Sequence, residues 1–291
     1  MSAPALDRPT TRPSRPNHKI QRFATVLLFG VALGWSITGL DITLSRLASA
    51  PSDAWGVFSL MFPPDFATEF ERGVLGKVFE SVYIAWIGTT IAAVLSLPLA
   101  FLAATNVAPM WIRVPTRQLF NAIRAVPELI VAVVLLGVTG LGPWAGALAI
   151  GLHSVGTLGK LSTEAIESID AGPLEAVEAC GGRWASGMRW GVLPQVLPTI
   201  TSYWLFRFEI NVRASAVLGM IGAGGVGAEL VALLNFRDFD GVGAVLIVTV
   251  VVVVIIDTVS AGVRRRIIAG TTPDRRGAAT IDDLLGTSLN R

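Results

Sequence analysis

Three charged residues, Arg207, Glu209 and Arg213, interrupt an otherwise apolar stretch of the sequence. A charge at the centre of a bilayer costs about 2.5–3.5 kcal/mol, so embedded charges face a helix bundle or a wet cavity. Glu209 and Arg213 are four residues apart and can pair on one helix face. Arginine also presents a planar fork of donors that suits the oxygens of a phosphate-like anion. Two interpretations are therefore open, a structural ion pair and an anion path, and both can hold together.

Two further polar residues extend this set. Asn211 lies in the same stretch, and Arg124 lies in an earlier apolar stretch, four residues before Glu128. Snorkelling to the membrane surface is the simpler explanation of Arg124. As a candidate substrate path for an oxyanion, the sequence predicts Arg124, Arg207, Glu209, Asn211 and Arg213.

The composition places these charges in a membrane protein. Of the 291 residues, 52% are apolar and 15% are charged, whereas soluble domains average about 25% charged residues. The single cysteine, Cys180, excludes an internal disulfide, and two histidines exclude a multi-histidine metal site within one chain. We therefore predict neither a disulfide scaffold nor a zinc enzyme, and no metal site.

Several apolar stretches are long enough to cross a bilayer, for which about 20 residues are needed. The first follows basic residues and precedes small residues at 48–50, which imitates a cleavable secretory signal. Its length and the apolar stretches after it favour an uncleaved helix. Pro127 lies inside a predicted span, where a kink is tolerated. The six predicted spans are 23–40, 79–105, 119–139, 143–161, 196–221 and 242–263.

Lysine and arginine are unevenly distributed between the segments that connect these spans. With the N-terminus in the cytoplasm, the inner segments hold fifteen of them and the outer segments hold four. Cytoplasmic loops carry such an excess, so both termini are predicted to lie in the cytoplasm. The basic residues form short clusters beside membrane spans, which explains the isoelectric point near 9 without nucleic acid as a partner.

One cytoplasmic segment, 161–195, is neither apolar enough to cross the membrane nor biased enough to be disordered. Asp170 can cap a helix that begins near Pro173. Gly181 can then end this helix before a second one near Trp184. These features alone are typical of either a plain connection or a docking surface.

The same segment resembles the signature loop of ABC-importer permeases, which contains Glu-Ala-Ala, three residues, Gly, nine residues and Ile-x-Leu-Pro. Here Glu175-Ala176-Val177 precedes Gly181 and Leu193-Pro194, with Gly191 in the place of Ile. The phosphonate, phosphite and phosphate branch of these permeases is similar over about residues 79–266. The similar stretches are NAIRAVPELI (121–130), GLHSVGTLGKL (151–161), LPQVLP (193–198), YWLFRFEINVRASAVLGMIGAGGVG (203–227) and IIDTVSAGVRRR (255–266).

The resemblance implies an all-α integral membrane protein with about six transmembrane helices and the type I (MetI-like) ABC-importer permease architecture. Its signature loop would present a short helix to a groove on a cytoplasmic ATPase. The sequence lacks a Gly-x4-Gly-Lys-Ser/Thr phosphate loop, so it cannot bind ATP in that way. No cofactor is expected in this chain, and ATP and Mg²⁺ are expected in the partner ATPase. No catalytic residue is predicted. The implied docking residues are Leu174, Glu175, Ala176, Glu178 and Gly181.

The implied activity is ATP-driven import of phosphonate or a related oxyanion, such as phosphate or phosphite, across the bacterial cytoplasmic membrane. The implied partners are an ABC ATPase dimer in the cytoplasm, an extracytoplasmic phosphonate- or phosphate-binding protein, a second copy of this chain and membrane lipid. In this reading residues 1–22 are a disordered cytoplasmic tail and 267–291 a second tail. Residues 23–78 are the first transmembrane helix with an outer amphipathic segment, and 79–266 are the permease core.

Gly222, Gly224 and Gly227 match the dinucleotide-binding pattern Gly-x-Gly-x-x-Gly. That pattern needs a preceding strand in a soluble βαβ unit, whereas a predicted membrane helix precedes it here. Together with Gly225, these glycines are instead expected to form a tight re-entrant turn near the outer mouth, as in the related permeases.

Two other classes of function remain open from the residues alone. An ion-coupled secondary transporter needs two related halves with broken helices, and no repeat relates residues 20–140 to 140–263. An integral membrane enzyme needs convergent acids, bases or metal ligands at membrane depth, where the only embedded acids are Glu128, Glu209 and Asp257.

Overall fold

The computed structural model describes residues 19–39 and 44–269. These residues form helices and connections, with no strand among them. They belong to two units, one that ends at Ser59 and one that begins at Leu60. Most of the two predicted tails, 1–22 and 267–291, lies outside the described residues.

The first unit contains helix α1 (Lys19–Gly39) and helix α2 (Leu44–Ser59). The apolar part of α1, Arg22–Ser36, is shorter than the predicted span at 23–40. The small residues at 48–50 lie inside α2.

The second unit contains ten helices among its described residues, with two π-helical turns, Gly187–Val192 and Gly219–Ala223. The helices are α3 (Phe66–Glu71), α4 (Val74–Ala103), α5 (Met110–Ala125), α6 (Glu128–Thr139), α7 (Pro143–Glu167), α8 (Gly172–Ala179), α9 (Trp184–Ser186), α10 (Leu193–Leu218), α11 (Gly225–Phe236) and α12 (Phe239–Ala269).

Two of the described helices, α4 and α12, are long and apolar enough to cross a bilayer by themselves. The number rises to four if each of two bent helix pairs counts as one span. One pair is α5 with α6, and the other is the helical segment Trp184–Ala223, which contains α10, with α11. The predicted count of six is higher. The other two predicted spans correspond to α1, with its short apolar part, and to α7, which carries Lys160 and Glu164.

The predicted span at 119–139 is divided by a sharp bend. Helices α5 and α6 meet at 87° around Val126 and Pro127. Proline has no backbone N–H and disfavours the helical conformation of the residue before it, and Val126 is extended, with φ −87° and ψ 123°. The kink expected at Pro127 is therefore a break between two helices.

Helix α7 lies at the centre of the second unit and packs against α4, α5, α6 and α10. Its buried face is rich in glycine, alanine and serine. A β-carbon at Gly88 of α4 would lie 2.8 Å from Ile150 Cγ2 of α7, and one at Gly159 would overlap the Phe120 ring of α5. Small residues let helix backbones approach closely in membranes, where lipid offers no hydrophobic drive for packing.

Candidate functional site

Arg207 lies on α10 and points into the helix bundle, where it is 9% exposed. Its Nε donates to Ser154 Oγ at 2.9 Å, and its Nη2 lies 3.2 Å from His153 Nδ1. Glu128 Oε2 lies 3.9 Å from the same Nη2. The predicted embedded arginine is thus surrounded by polar groups from α6 and α7.

Asn211 lies one turn further along α10 and is fully buried. Its Nδ2 donates to Thr89 Oγ1 of α4 at 2.8 Å, and its Oδ1 accepts from Ser154 Oγ at 3.3 Å. Ser154 therefore accepts from Arg207 and donates to Asn211. The hydrogen bonds link α4, α7 and α10 and hold the Arg207 guanidinium in one place.

Glu128 is the first residue of α6, directly after the bend. Its Oε2 lies 3.6 Å from His153 Nδ1, while its Oε1 is buried without a hydrogen-bond partner. Arg124 belongs to α5, so the bend removes Arg124 and Glu128 from the single helix face that their spacing indicates. Glu128 instead faces His153 and Arg207.

Arg124 is exposed. A β-carbon at Gly156 would lie 2.9 Å from Arg124 Cγ, so the arginine stem packs against the backbone of α7. Asn121 of α5 and Lys160 of α7 border a cavity of about 290 Å³. Arg117 and Glu167, which form an ion pair, also line this cavity. Polar side chains thus recur along the contact between α5 and α7.

Glu209 and Arg213 lie on a different face of α10 from Arg207. Arg213 Nη2 donates to Asp257 Oδ2 of α12 at 2.7 Å, and Arg264 Nη2 of α12 lies 2.9 Å from Glu209 Oε1. Each residue therefore pairs with α12, and the two ion pairs have opposite polarity. The five predicted path residues fall into two groups, Arg207 and Asn211 with Arg124 nearby, and Glu209 with Arg213.

The four predicted outer glycines form the corner between α10 and α11, which meet at 55°. Gly222, Gly224 and Gly225 have φ values of 107°, 80° and 67°, in the region that glycine adopts without strain. A β-carbon at Gly227 would overlap the Ala216 carbonyl oxygen, so this turn needs glycine for close backbone approach as well. A helix and a π-helical turn precede this corner, so the context of a dinucleotide site is absent here.

Helix α8 contains the residues that the resemblance assigns to docking. Glu175, Ala176 and Glu178 are exposed, while Leu174 is half-buried. Asp170 Oδ1 accepts from the Gly172 N–H at 3.0 Å in an Asx turn, but the N-cap is Ala171, so Asp170 lies one residue ahead of the capping position that the sequence predicts. Gly181, with φ 75°, ends the helix, and the Gly182 N–H donates to the Val177 carbonyl at 2.9 Å. These bonds are those of a Schellman cap.

Gly191, which departs from the signature pattern, lies under α8. A β-carbon there would lie 3.1 Å from Leu174 Cα, and one at Gly187 would lie 2.8 Å from Leu174 Cδ1. Leu174 packs directly against the backbone of these two glycines, which have no side chains. The departure from Ile thus has a packing reason, because α8 rests directly on the backbone at Gly191.

Sequence reasoning missed several partners of the path residues. Thr89 and Ser154 are ordinary helix residues in apolar stretches, and His153 carries no motif. Arg264 belongs to a basic cluster that orientation alone explains. A polar residue on the buried face of a small-residue helix is the only signal that points to Ser154, because such a group needs a partner.

Comparison with known proteins places these features in a family. Residues 96–269 match the family described as binding-protein-dependent transport system inner membrane component. The phosphate-import permease protein PhnE of Mycolicibacterium smegmatis is 38% identical over 271 residues, which cover 91% of this chain and 50% of that protein. The phosphite transport system permease protein PtxC of Stutzerimonas stutzeri is 40% identical over 242 residues, which cover 82% of this chain and 86% of that protein.

Solved structures share the fold of this chain over about two thirds of its length. An amino acid ABC transporter matches with a TM-score of 0.59 and 18% identity, over 69% of this chain and 98% of that one. The inward-facing MetNI methionine transporter matches with a TM-score of 0.59 and 20% identity, over 69% of this chain and 97% of that one. The predicted MetI-like permease architecture is confirmed. The chain belongs to the family of inner membrane components of binding-protein-dependent transport systems, and it is a multi-pass transport permease rather than an enzyme.

Proposed function

We propose that this chain is the permease of an ATP-driven importer that carries a phosphorus oxyanion, namely phosphonate, phosphate or phosphite, into the cytoplasm. One observation carries the proposal, the 40% identity to a phosphite transport system permease over 86% of that protein's length. The chain spans half the length of the phosphate-import permease that it also resembles. The buried arginine site is chemically suited to such a cargo.

The substrate path would run past Arg124 and Arg207. A phosphorus oxyanion that leaves water needs donors for its oxygens throughout the crossing, and a guanidinium supplies two parallel donors to one anion. Asn211 would keep Arg207 oriented through Ser154. Arg213 and Glu209 would line or brace the path from the α12 side, where Asp257 and Arg264 neutralise them.

Helix α8 would dock into a cytoplasmic ATPase dimer, which binds ATP and Mg²⁺. Its exposed face carries Glu175, Ala176 and Glu178, of which the alanine permits close approach and the glutamates offer charge for a basic partner. Closure of the ATPase on ATP would then move α8 and, through it, α10. The energy for transport comes from the partner.

The remaining partners follow from the same proposal. Two copies of the chain would pair about a two-fold axis, so that each α8 meets one ATPase protomer. An extracytoplasmic binding protein would deliver the anion and set the choice among phosphonate, phosphate and phosphite. Both termini would lie in the cytoplasm, as the distribution of basic residues indicates.

Reconstituted vesicles test the cargo and the energy source together. The chain is purified with its ATPase, placed in vesicles and supplied with the binding protein outside and ATP inside. Uptake of radiolabelled phosphate, phosphite or methylphosphonate that depends on ATP is expected. Uptake without the ATPase would indicate a secondary transporter, and release of phosphate from an ester by the isolated chain would indicate an enzyme.

Two substitutions test docking through α8. Glu175→Arg reverses an exposed charge, and Gly181→Trp places a bulky residue at a left-handed backbone position, with φ 75°, that strains any other residue. Both should abolish ATP-driven uptake. Glu71→Gln, on the exposed side of α3, is the matched control and should transport as the wild type does. Unaltered transport in both docking variants would refute docking through this helix.

A further inference from the structure

Glu128 is a half-buried acid that has no role in the proposed path. Its side chain is 19% exposed and lies beside Arg207 and His153, at 3.9 Å and 3.6 Å from their nearest nitrogens. Both distances exceed that of a hydrogen bond. Its second oxygen, Oε1, is buried without a hydrogen-bond partner. Glu128 therefore neutralises the charge of Arg207 without a hydrogen bond to it.

Arg207 has unused donors. A guanidinium carries five N–H groups, of which Nε donates to Ser154 and Nη2 faces His153. Among the described residues no acceptor is hydrogen-bonded to Nη1. A well-positioned guanidinium with free donors can bind an oxyanion through two nitrogens at once.

We propose that Glu128 is an exchangeable counter-ion, which a phosphorus oxyanion displaces from Arg207 on entry and which returns to release that anion. The inference rests on the proposed function, from which it takes the class of anion. Ser154, and behind it Asn211 and Thr89, hold the guanidinium in place. Only the counter-ion has to move.

The position of Glu128 allows that movement. It follows the extended link at Val126 and Pro127, where α5 and α6 meet at 87°, and no hydrogen bond from another described residue fixes its carboxylate. Two anions beside one cation repel each other, so the cargo and Glu128 exclude one another. The exchange gives a site that binds the anion strongly enough to admit it and weakly enough to let it leave.

Equilibrium binding of radiolabelled inorganic phosphate and of phosphite to the purified permease–ATPase complex, without binding protein, tests the exchange. Glu128→Gln keeps the shape of the side chain and removes its charge, so it should tighten binding at least about tenfold. Glu128→Asp keeps the charge and should bind as the wild type does. Arg207→Gln should lose binding. Glu71→Gln, an exposed position on α3, is the matched control for removing a carboxylate.

Transport separates this role from a structural one. In Glu128→Gln the uptake rate should fall while anion binding rises, because release becomes slow. Binding that is unchanged or weaker in a Glu128→Gln complex that assembles normally would overturn the exchange. Absence of any phosphorus-oxyanion uptake by the wild-type complex would overturn the proposed function instead.

Discussion

The side-chain amide of Gln195 pairs with both backbone groups of Asp170. The Asp170 N–H donates to Gln195 Oε1 at 3.0 Å, and Gln195 Nε2 donates to the Asp170 carbonyl at 3.1 Å. Asp170 precedes α8, and Gln195 lies in the first turn of α10, which carries Arg207 further along. This pairing joins the proposed docking helix to the helix that lines the proposed path.

Gln195→Leu should therefore uncouple ATP hydrolysis from transport. Leucine has a similar volume but makes none of the three hydrogen bonds of Gln195, of which the third runs from Nε2 to the Gly191 carbonyl at 2.7 Å. Each lost bond costs about 0.5–1.5 kcal/mol. Uptake per ATP hydrolysed, measured in the same vesicles, should fall several-fold. Gln118→Leu, exposed on α5, is the control. An unchanged ratio of uptake to hydrolysis would contradict the linkage.

Gly191→Ile restores the residue that is usual in the signature loop, yet it should impair this permease. The new side chain would meet the Leu174 backbone, since even a β-carbon lies 3.1 Å from Leu174 Cα. Overpacking of this kind costs about 1–3 kcal/mol and would displace α8 from its contact with the backbone at Gly191. Loss of co-purifying ATPase is the expected result. Normal recovery of the ATPase subunit would contradict the prediction, because α8 would then not need its close contact with Gly191.

Arg213→Ala tests which role the α12-facing residues have. If Arg213 contacts the cargo, uptake should be abolished while the permease still assembles with its ATPase. The reversed pair Arg213→Asp with Asp257→Arg replaces the 2.7 Å ion pair by one of opposite polarity and moves the positive charge to α12. Recovery of uptake in the reversed pair, together with loss of assembly in Arg213→Ala, would assign Arg213 a purely structural role.

Asp238 makes the stability of the α3–α12 contact depend on pH. A hydrogen bond from Arg72 at 2.8 Å lowers the pKa of Asp238 below its ordinary value of 3.8. Because the folded-state pKa is lowered, the stabilisation is complete above that ordinary value and is lost as the pH falls through the lowered one.

Thermal unfolding of the wild type and of Asp238→Asn in nanodiscs measures this contribution. The gap in melting temperature should stay constant from pH 8 to about pH 5 and should shrink below the ordinary carboxyl pKa. Asp53→Asn, exposed on α2, is the control. A gap that closes between pH 8 and 5 would assign the effect to another group.

The sequence predicted those structural features that depend only on residues close together in the chain. The end of α8 at Gly181 was predictable, because a left-handed position favours glycine, whereas Asp170 lies one residue ahead of the N-cap, Ala171. The family resemblance was carried by the same local motifs. The span at 119–139 was predicted with a kink at Pro127, but the size of the bend was not predictable, because composition measures apolar length and not direction. Pro127 predicted a kink. The structure shows a bend of 87°, with Phe120 of α5 packed against α7.

The pairing of the embedded charges was decided by tertiary structure alone. Residues two apart on a helix point to nearly opposite sides, so the positions of Arg207 and Glu209 place them on different faces of α10. Helical periodicity says nothing about which neighbour each face meets. Packing puts Arg207 beside Ser154 of α7, and Arg213 beside Asp257 of α12. Sequence alone determined a membrane permease, and the fold determined which charges meet, because those contacts join helices far apart in the chain.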